Sequence, residues 1–482
     1  VQNPAYRSAH SPLQSSGMKL YAANLDFGPV AEEFQVPCEF DPAIHAEAAA
    51  AQDRFADQRV DRRDLEFVTI DPVGSKDLDQ AVLIQPLDDG YRVFYAIADV
   101  AAFVAPDSRI DDESIRRGQT IYLPDGPARL HPEELSENAA SLLPDVDRPA
   151  VLWGIDLDHV SEVKQAHVER ALVRSRARLN YDGVHQSFQD GTQHPSIALL
   201  PAVGRARQES SLRREAINLR VPSVGVVRSD DESGRFELVI EPRHAVMDYN
   251  SEISLLCGMV AGRMMVAAGK GLLRTLKPAD KGAEEKFRTE ARSLGFEVGE
   301  SIGAFLASVD ADTPSGMAVM REAQSLLRGA GYGSVEKGQV EEHAGVGGYY
   351  AHVTAPLRRL VDRYATEYCL AICAGRDIPQ WVLDHEDEVL ESMERTTALA
   401  NNVDKACLKL TEATVLQPWV GENFDALVLS VSAKGDSARI FLQEPPVLSS
   451  TVGAPEEGTT AVVSLIKADP QARKVEFAWP AD

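Results

Sequence analysis

The sequence predicts an α+β protein: a mixed α/β body, a C-terminal OB-fold β-barrel and a small helical unit at the N-terminus. Three observations predict it. From about 61 to 410, short β-branched and aromatic runs with polar turns give way to helix-length apolar periodicity. From 417 to 482, FDALVLSV, SARIFL, GTTAVVSLIKA and KVEFAW alternate apolar and polar residues at period two; five short strands in about 65 residues suit an OB barrel. Ahead of residue 61 that alternation is missing and alanine dominates.

The N-terminal segment, 1–60, opens with VQNPAYRSAHSPLQSSG, which has no apolar period and is expected to be disordered over 1–17. Met18 is a candidate start. Residues 42–58 are Ala-rich and read as a helix, and the unit is taken as helix-turn-helix-like. In the body, FVTI at Phe67–Ile70 reads as a buried strand. Helices are expected near 208–220, 248–269, 282–294, 314–329 and 356–375. A hairpin is expected from Gly225 to Pro242, turning at DDESG.

At 482 residues with 44% hydrophobic content, the chain can bury a large core and suggests two to four domains. The longest apolar stretch, Leu255–Leu273, is interrupted by Arg263 and Lys270, so no transmembrane helix is expected. Cys38, Cys257, Cys369, Cys373 and Cys407 form no CxxC pair and are odd in number, as expected of free thiols in a reducing cytoplasm. The net charge of −25 excludes a protein that coats nucleic acid by bulk attraction. Locally the balance reverses. Arg170–Arg220 holds nine arginines, no lysine and four acids, a net +5, as a narrow basic channel through an acidic body would require.

The stretch FVTIDPVGSKDLDQAV, Phe67–Val82, places Asp71, Asp77 and Asp79 at a strand end and the loop after it. Pro72 cannot continue a central strand, and Gly74 and Ser75 favour a turn. Asp77 and Asp79 share a face if that piece is extended. Carboxylates gathered there repel one another and push a pKa up, a penalty that a hard divalent cation removes. With 74 acids in 482 residues, acids two apart arise by chance about ten times, so the spacing alone carries little.

The surroundings carry more. The segment resembles the signature of the ribonuclease II / ribonuclease R family of exoribonucleases, in which a TIDP-like strand end precedes a D-x-D-D cluster. Tyr95–Ala150, RSRARLNYD at Arg174–Asp182, and HAGVGGYYAHVTAPLRRLVDRY at His343–Tyr364 are similar to later blocks of that family, in order and spacing. Four blocks over about 300 residues are far more specific than one motif.

The resemblance implies a ribonuclease II-type catalytic domain over 61–410 and a terminal RNA-binding OB domain of the ribosomal protein S-one type over 417–482. Asp71, Asp77 and Asp79 fall on the family's metal-binding and catalytic aspartates, with Asp79 closest to the chemistry. Gln80 stands where the family has a fourth Asp; its carbonyl can still ligate Mg²⁺ but brings no charge. Arg358 matches the arginine on the scissile phosphate, and Thr354 and Arg359 belong to the same substrate-binding block, with a neighbouring phosphate or a carboxylate as the expected partner of Arg359. Both arginines are expected to open a helix after Pro356. Tyr122 matches the tyrosine that holds the terminal base, and Tyr181 another near the nucleotide path. His343 and His352 read as structural. Leu255 or Leu256 falls where the family has a glutamate, and Asp404 is a candidate for a late acidic position.

The resemblance implies processive 3′-to-5′ hydrolysis of single-stranded RNA to 5′-mononucleotides with one or two Mg²⁺, in RNA decay and processing. It implies no organic cofactor, no membrane, a cytoplasmic location and a monomer. The alternative is an RNA-binding protein of the same fold, catalytically weakened through Gln80.

Overall fold

The structure is a computed structural model that describes residues 22–210, 216, 217, 219, 224–228, 235–240, 244–311, 313–327 and 329–480. In chain order the strands are β1 (Ala22–Ala23), β2 (Val60–Asp61), β3 (Phe67–Asp71), β4 (Gln80–Leu87), β5 (Gly90–Ala98), β6 (Ile121–Leu123), β7 (Gly126–Ala128), β8 (Asp147–Leu157) and β9 (Val163–Asn180). They continue with β10 (Val224–Arg228), β11 (Phe236–Ile240), β12 (Leu272–Thr275), β13 (Gly331–Ser334), β14 (Asn423–Val431), β15 (Ser437–Gln443), β16 (Pro446–Val452), β17 (Thr460–Asp469) and β18 (Lys474–Ala478). The helices are α1 (Gly28–Glu33), α2 (Pro42–Ala50), α3 (Arg109–Arg117), α4 (Tyr181–Asp190), α5 (Leu200–Glu209) and α6 (Ala245–Ala268). After these come α7 (Lys281–Ser293), α8 (Ile302–Ser308), α9 (Pro314–Ala323), α10 (Leu360–Cys373), α11 (Gln380–Asp384) and α12 (Glu386–Leu416).

The central sheet runs β2-β9-β3-β4-β5-β8, and a further β9–β8 pairing returns it on itself. The long β9 makes this possible: its first part pairs antiparallel with β8, and its end runs parallel to β3. Alternation sorts side chains between two cores. Val68, Ile70, Val82, Ile84 and Trp153 pack with Leu256 and Val260 of α6 and Val361 and Ala365 of α10. Phe67, Ala81, Leu83 and Ala96 pack on the other side with Ile44 and Ala48 of α2. The C-terminal strands close into a barrel in the order β14-β15-β16-β18-β17, around Phe424, Ile440, Val463 and Phe477.

The expected hairpin is present as β10–β11, with Val226 opposite Leu238; its turn and Pro242 lie outside the described residues. Residues 1–17 also lie outside them. The Ala-rich 42–58 splits into α2 and a short 3-10 turn at Ala56–Gln58. The N-terminal helices form no core of their own. Phe27, Val30 and Ala31 pack with Ile121, Leu123, Val403 and Cys407.

Most of the helix expected at 208–220 lies outside the described residues. Helix α5 spans Leu200–Glu209 with Pro201 in its first turn, and Ala216 and Ile217 are not helical. Its sequence, LPAVGRARQE, hides the helix behind a proline and a glycine. Gly204 is there because Tyr249 packs against it: a Cβ would meet the Tyr249 Cβ at 2.5 Å. Helix α6 is, by length and composition, apolar enough to cross a membrane, which the sequence stretch from Leu255 did not suggest. Its Ile253, Leu256, Cys257, Val260 and Met265 belong to the main core.

Candidate active site

Asp71 ends β3 opposite Asn180 of β9. Pro72 then breaks the ladder and Gly74, at φ +88°, completes the turn. Arg178 on β9 steadies this loop by donating to the Ser75 carbonyl at 3.0 Å. Leu78 is fully buried, and its backbone N–H donates to Ser141 Oγ at 3.0 Å. That anchors one side of the extended piece and leaves Asp77 and Asp79 on the other. Asn180 caps α4 by accepting from the Gly183 N–H at 2.8 Å, which sets Tyr181 at the helix start beside Asp71.

The carboxyls are perturbed as their burial requires. Asp71 is pushed up to about 7, first by burial and then by Asp77. Burial also raises Asp77. Asp79, 5% exposed, is raised further by burial, against the opposing pull of Arg358 and of the Leu357 N–H. That N–H donates to Asp79 Oδ1 at 2.7 Å, while Arg358 Nε stands 3.8 Å from Oδ2. The Arg358 side chain is 45% exposed, so the guanidinium sits over the carboxylates with a face open to solvent.

Tyr122, on β6, is 53% exposed and lies in the field of Asp77, Arg358 and Asp79. The Tyr181 hydroxyl accepts from Asn250 Nδ2 at 3.2 Å and lies in the field of Asp71 and Arg358. An exposed aromatic, an open guanidinium and three carboxyls therefore meet at one place, drawn from β3, the loop before β4, β6, α4 and the turn before α10. The donors suit a hard divalent cation in kind, since charge on raised carboxyls is what such an ion relieves. Among the described residues, however, no three His, Cys, Asp or Glu side chains stand close enough to hold one ion.

Three expected site residues are engaged elsewhere. Gln80 follows Asp79 on an extended chain, so it points to the opposite face. Its Nε2 donates to the Thr354 carbonyl at 2.7 Å, and its Oε1 accepts from Tyr95 Oη at 2.6 Å. Ser254 Oγ of α6 is also within 3.4 Å of Oε1. Gln80 thus ties β4 to α6 and to the arginine loop, with both ends of its amide engaged by Thr354 and Tyr95. Thr354 is 5% exposed, and its carbonyl is the oxygen that Gln80 occupies. Arg359 grips Asp362 through Nε at 2.5 Å and a terminal nitrogen at 2.9 Å, so it holds its own loop rather than facing the acids.

The expected helix start at Arg358 also shifts. Arg359 caps α10, which begins at Leu360. The preceding backbone is pinned by neighbours instead: the Arg358 carbonyl accepts from Thr120 N–H, and Leu360 N–H donates to Gly118. Both arginines nevertheless remain beside a helix N-terminus. The +5 arginine window is mixed, with Arg178 and Arg205 exposed and others held by partners. Arg170 pairs with Asp99 and Glu367, Arg174 with Asp147, Arg207 is buried, and Arg213, Arg214 and Arg220 lie outside the described residues. His352 is structural: it bonds Tyr332 Oη through Nδ1 at 2.9 Å, and burial pushes it well below its usual range. His343 donates its backbone N–H to Gly348. Leu256 is fully buried, and Asp404 is exposed on α12.

Tyr95, Ser254, Arg178 and Asp362 support the site without having been singled out from the sequence. Of these, only Asp362 left a local signal, an acid three residues after Arg359 in the first turn of a helix.

Comparison with known proteins agrees with this geometry. The RNB domain family matches residues 59–372, and the RNase II-type exonuclease C-terminal S1 domain matches 422–479. Ribonuclease R of Chlamydia trachomatis is 26% identical over 435 residues, covering 86% of this chain and 61% of that protein. Ribonuclease R of Vibrio parahaemolyticus is 25% identical over 440 residues, covering 84% of this chain and 52% of that protein. The chain therefore spans between about half and three fifths of the length of these relatives. Among solved structures, Mycoplasma genitalium RNase R in complex with ribose-methylated single-stranded RNA superposes with a TM-score of 0.84 at 17% identity, covering 94% of this chain and 77% of that one.

Proposed function

The chain belongs to the RNB family of RNase II-type exonucleases, and from that premise we propose that it hydrolyses single-stranded RNA processively from the 3′ end, releasing 5′-mononucleotides. Exoribonucleases of this family are metal-dependent. The observation that carries the reading is Arg358, open to solvent and 3.8 Å from the buried Asp79, with Asp71 and Asp77 alongside. An exposed cation over raised carboxyls, beside an exposed tyrosine, suits a phosphodiester flanked by a base.

Asp71, Asp77 and Asp79, which do not stand close enough to hold one ion in this structure, are the residues whose carboxylates would have to draw together on a divalent ion, which we take to be Mg²⁺; when bound it would supply an activated water and charge neutralisation at the phosphate. Arg358 grips non-bridging oxygens and takes up charge as the phosphorane-like transition state forms. The Leu357 N–H and the Arg359–Asp362 clamp fix the loop that aims it. Tyr122 offers its ring to the terminal base, a contact that tolerates any base, and Tyr181 lines the same pocket near Asp71. Residues 61–410 act as the catalytic domain. The barrel at 417–482 holds RNA upstream, and Phe27, Val30 and Ala31 of the N-terminal unit flank the Tyr122 hairpin. The five unpaired cysteines support a reducing, cytoplasmic setting.

Directionality tests this reading. Single-stranded RNA labelled at its 5′ end and given Mg²⁺ should yield a ladder that shortens to one small labelled fragment. One discrete internal cut would overturn the exonucleolytic reading, and binding without any shortening would make the chain an RNA-binding protein of this fold.

A further inference from the structure

A second cluster of chemically active side chains lies away from the aspartates. Cys373 ends α10, about 20 Å along that helix from Arg359 at 1.5 Å per residue. Its Sγ is 3.2 Å from His167 Nδ1 on β9. His167 Nε2 is in turn 3.4 Å from Glu169 Oε2. Arg62 holds that carboxylate in place, donating to Oε1 at 3.0 Å. A sulfur, an imidazole and an orienting carboxylate in this sequence form the arrangement that activates a thiol nucleophile. The imidazole and Glu169 also line a cavity of about 130 Å³ with Arg62, Arg92, Phe94 and Gln165. His167 is 58% exposed and Cys373 is partly exposed.

The other four thiols lack these features. Cys257, Cys369 and Cys407 are buried, and burial pushes each of them up. Cys38 is exposed, but it is pushed up by partial burial and by Glu39 and Asp125.

We propose that Cys373, with His167 as its base and Glu169 as the orienting carboxylate, is a thiol-modification site that exchanges with small disulfides. In the step, the Sγ proton passes to Nδ1 and the sulfur attacks one sulfur of the disulfide. That S–S bond breaks as the new one forms, and the departing thiolate takes the proton from the imidazolium. Cys373 is oxidised and the leaving sulfur reduced, so no further reactant is required. The site is independent of the RNA chemistry.

The test uses the full chain and sub-stoichiometric dithiodipyridine, with the modified cysteine identified by peptide mass mapping. Cys373 should take the first equivalent. His167→Gln should slow its labelling about tenfold, and Cys373→Ser should abolish the fast phase while Cys38 reacts at an unchanged rate. RNA shortening and the unfolding midpoint, measured in parallel, should match wild type in both variants and so establish that they fold. Labelling of Cys38 first would overturn the proposal. So would an unchanged rate at Cys373 in the folded His167→Gln variant, since exposure alone would then explain its reactivity.

Discussion

Replacing Gln80 by Glu separates a structural role from metal ligation with a single isosteric change. The Gln80 amide donates to the Thr354 carbonyl at 2.7 Å and accepts from Tyr95 at 2.6 Å. An ionised Glu still accepts from Tyr95, but it turns a lone pair toward the Thr354 carbonyl. Losing that donor and leaving a buried carbonyl unsatisfied costs about 1–3 kcal/mol. Repulsion between the anion and the carbonyl brings the total to about 3 kcal/mol at pH 8. A protonated Glu restores the donor, so the loss should recover in acid. At about 1.4 kcal/mol per unit, the folded-state titration should lie about two units above an ordinary glutamate, near 6.5. The folded pKa is raised, so the folded chain binds more protons than the unfolded one between about pH 4 and 6.5. The penalty is therefore full above that window and fades as pH falls through it. Urea unfolding in EDTA, followed by the fluorescence of Trp153 in the adjoining core, measures it at pH 8 and pH 5. If the variant unfolds with wild type at pH 8 and binds Mg²⁺ more tightly, Gln80 faces the metal and does not tie β4 to Thr354.

The neighbouring arginines should behave oppositely. Arg359→Ala strands the buried Asp362 and should destabilise the fold by about 3–5 kcal/mol. Arg358→Ala should leave the unfolding midpoint within about 0.5 kcal/mol of wild type and lower kcat about 100- to 1000-fold, separable by urea melts and single-turnover kinetics. Without metal, Asp71 should make the protein more stable as pH falls from above 7 toward 4, because its folded pKa is raised to about 7; Asp71→Asn should flatten that dependence and abolish stabilisation by Mg²⁺ in thermal melts. Tyr122→Ala should lengthen the final 5′-labelled fragment, read on a sequencing gel, without changing the cleavage chemistry.

What was legible in the sequence was local. FVTI marks β3 because β-branched residues stop at Pro72, and Asp71 follows from that boundary alone. The barrel strands are visible because period-two alternation needs no knowledge of their neighbours. The residues that misled have partners far away in the chain. Gln80 and Thr354 are 274 positions apart, and Arg170 meets Asp99 and Glu367 across 71 and 197 positions. Tallying the charge of a window cannot distinguish arginines that line a channel from arginines that neutralise buried acids. Helix α5 escaped detection for the same reason, since Gly204 reads as a breaker until Tyr249 is seen packed against it.

The most direct test of the central claim compares wild type with Asp79→Asn on 5′-labelled single-stranded RNA, with Mg²⁺ and with EDTA, while released nucleotides are identified by chromatography. Wild type should release 5′-mononucleotides only with Mg²⁺. Asp79→Asn should bind RNA with unchanged affinity and cleave at least about 1000-fold more slowly. Undiminished release by Asp79→Asn, or release by wild type in EDTA, would contradict a metal-dependent hydrolytic centre built on Asp79.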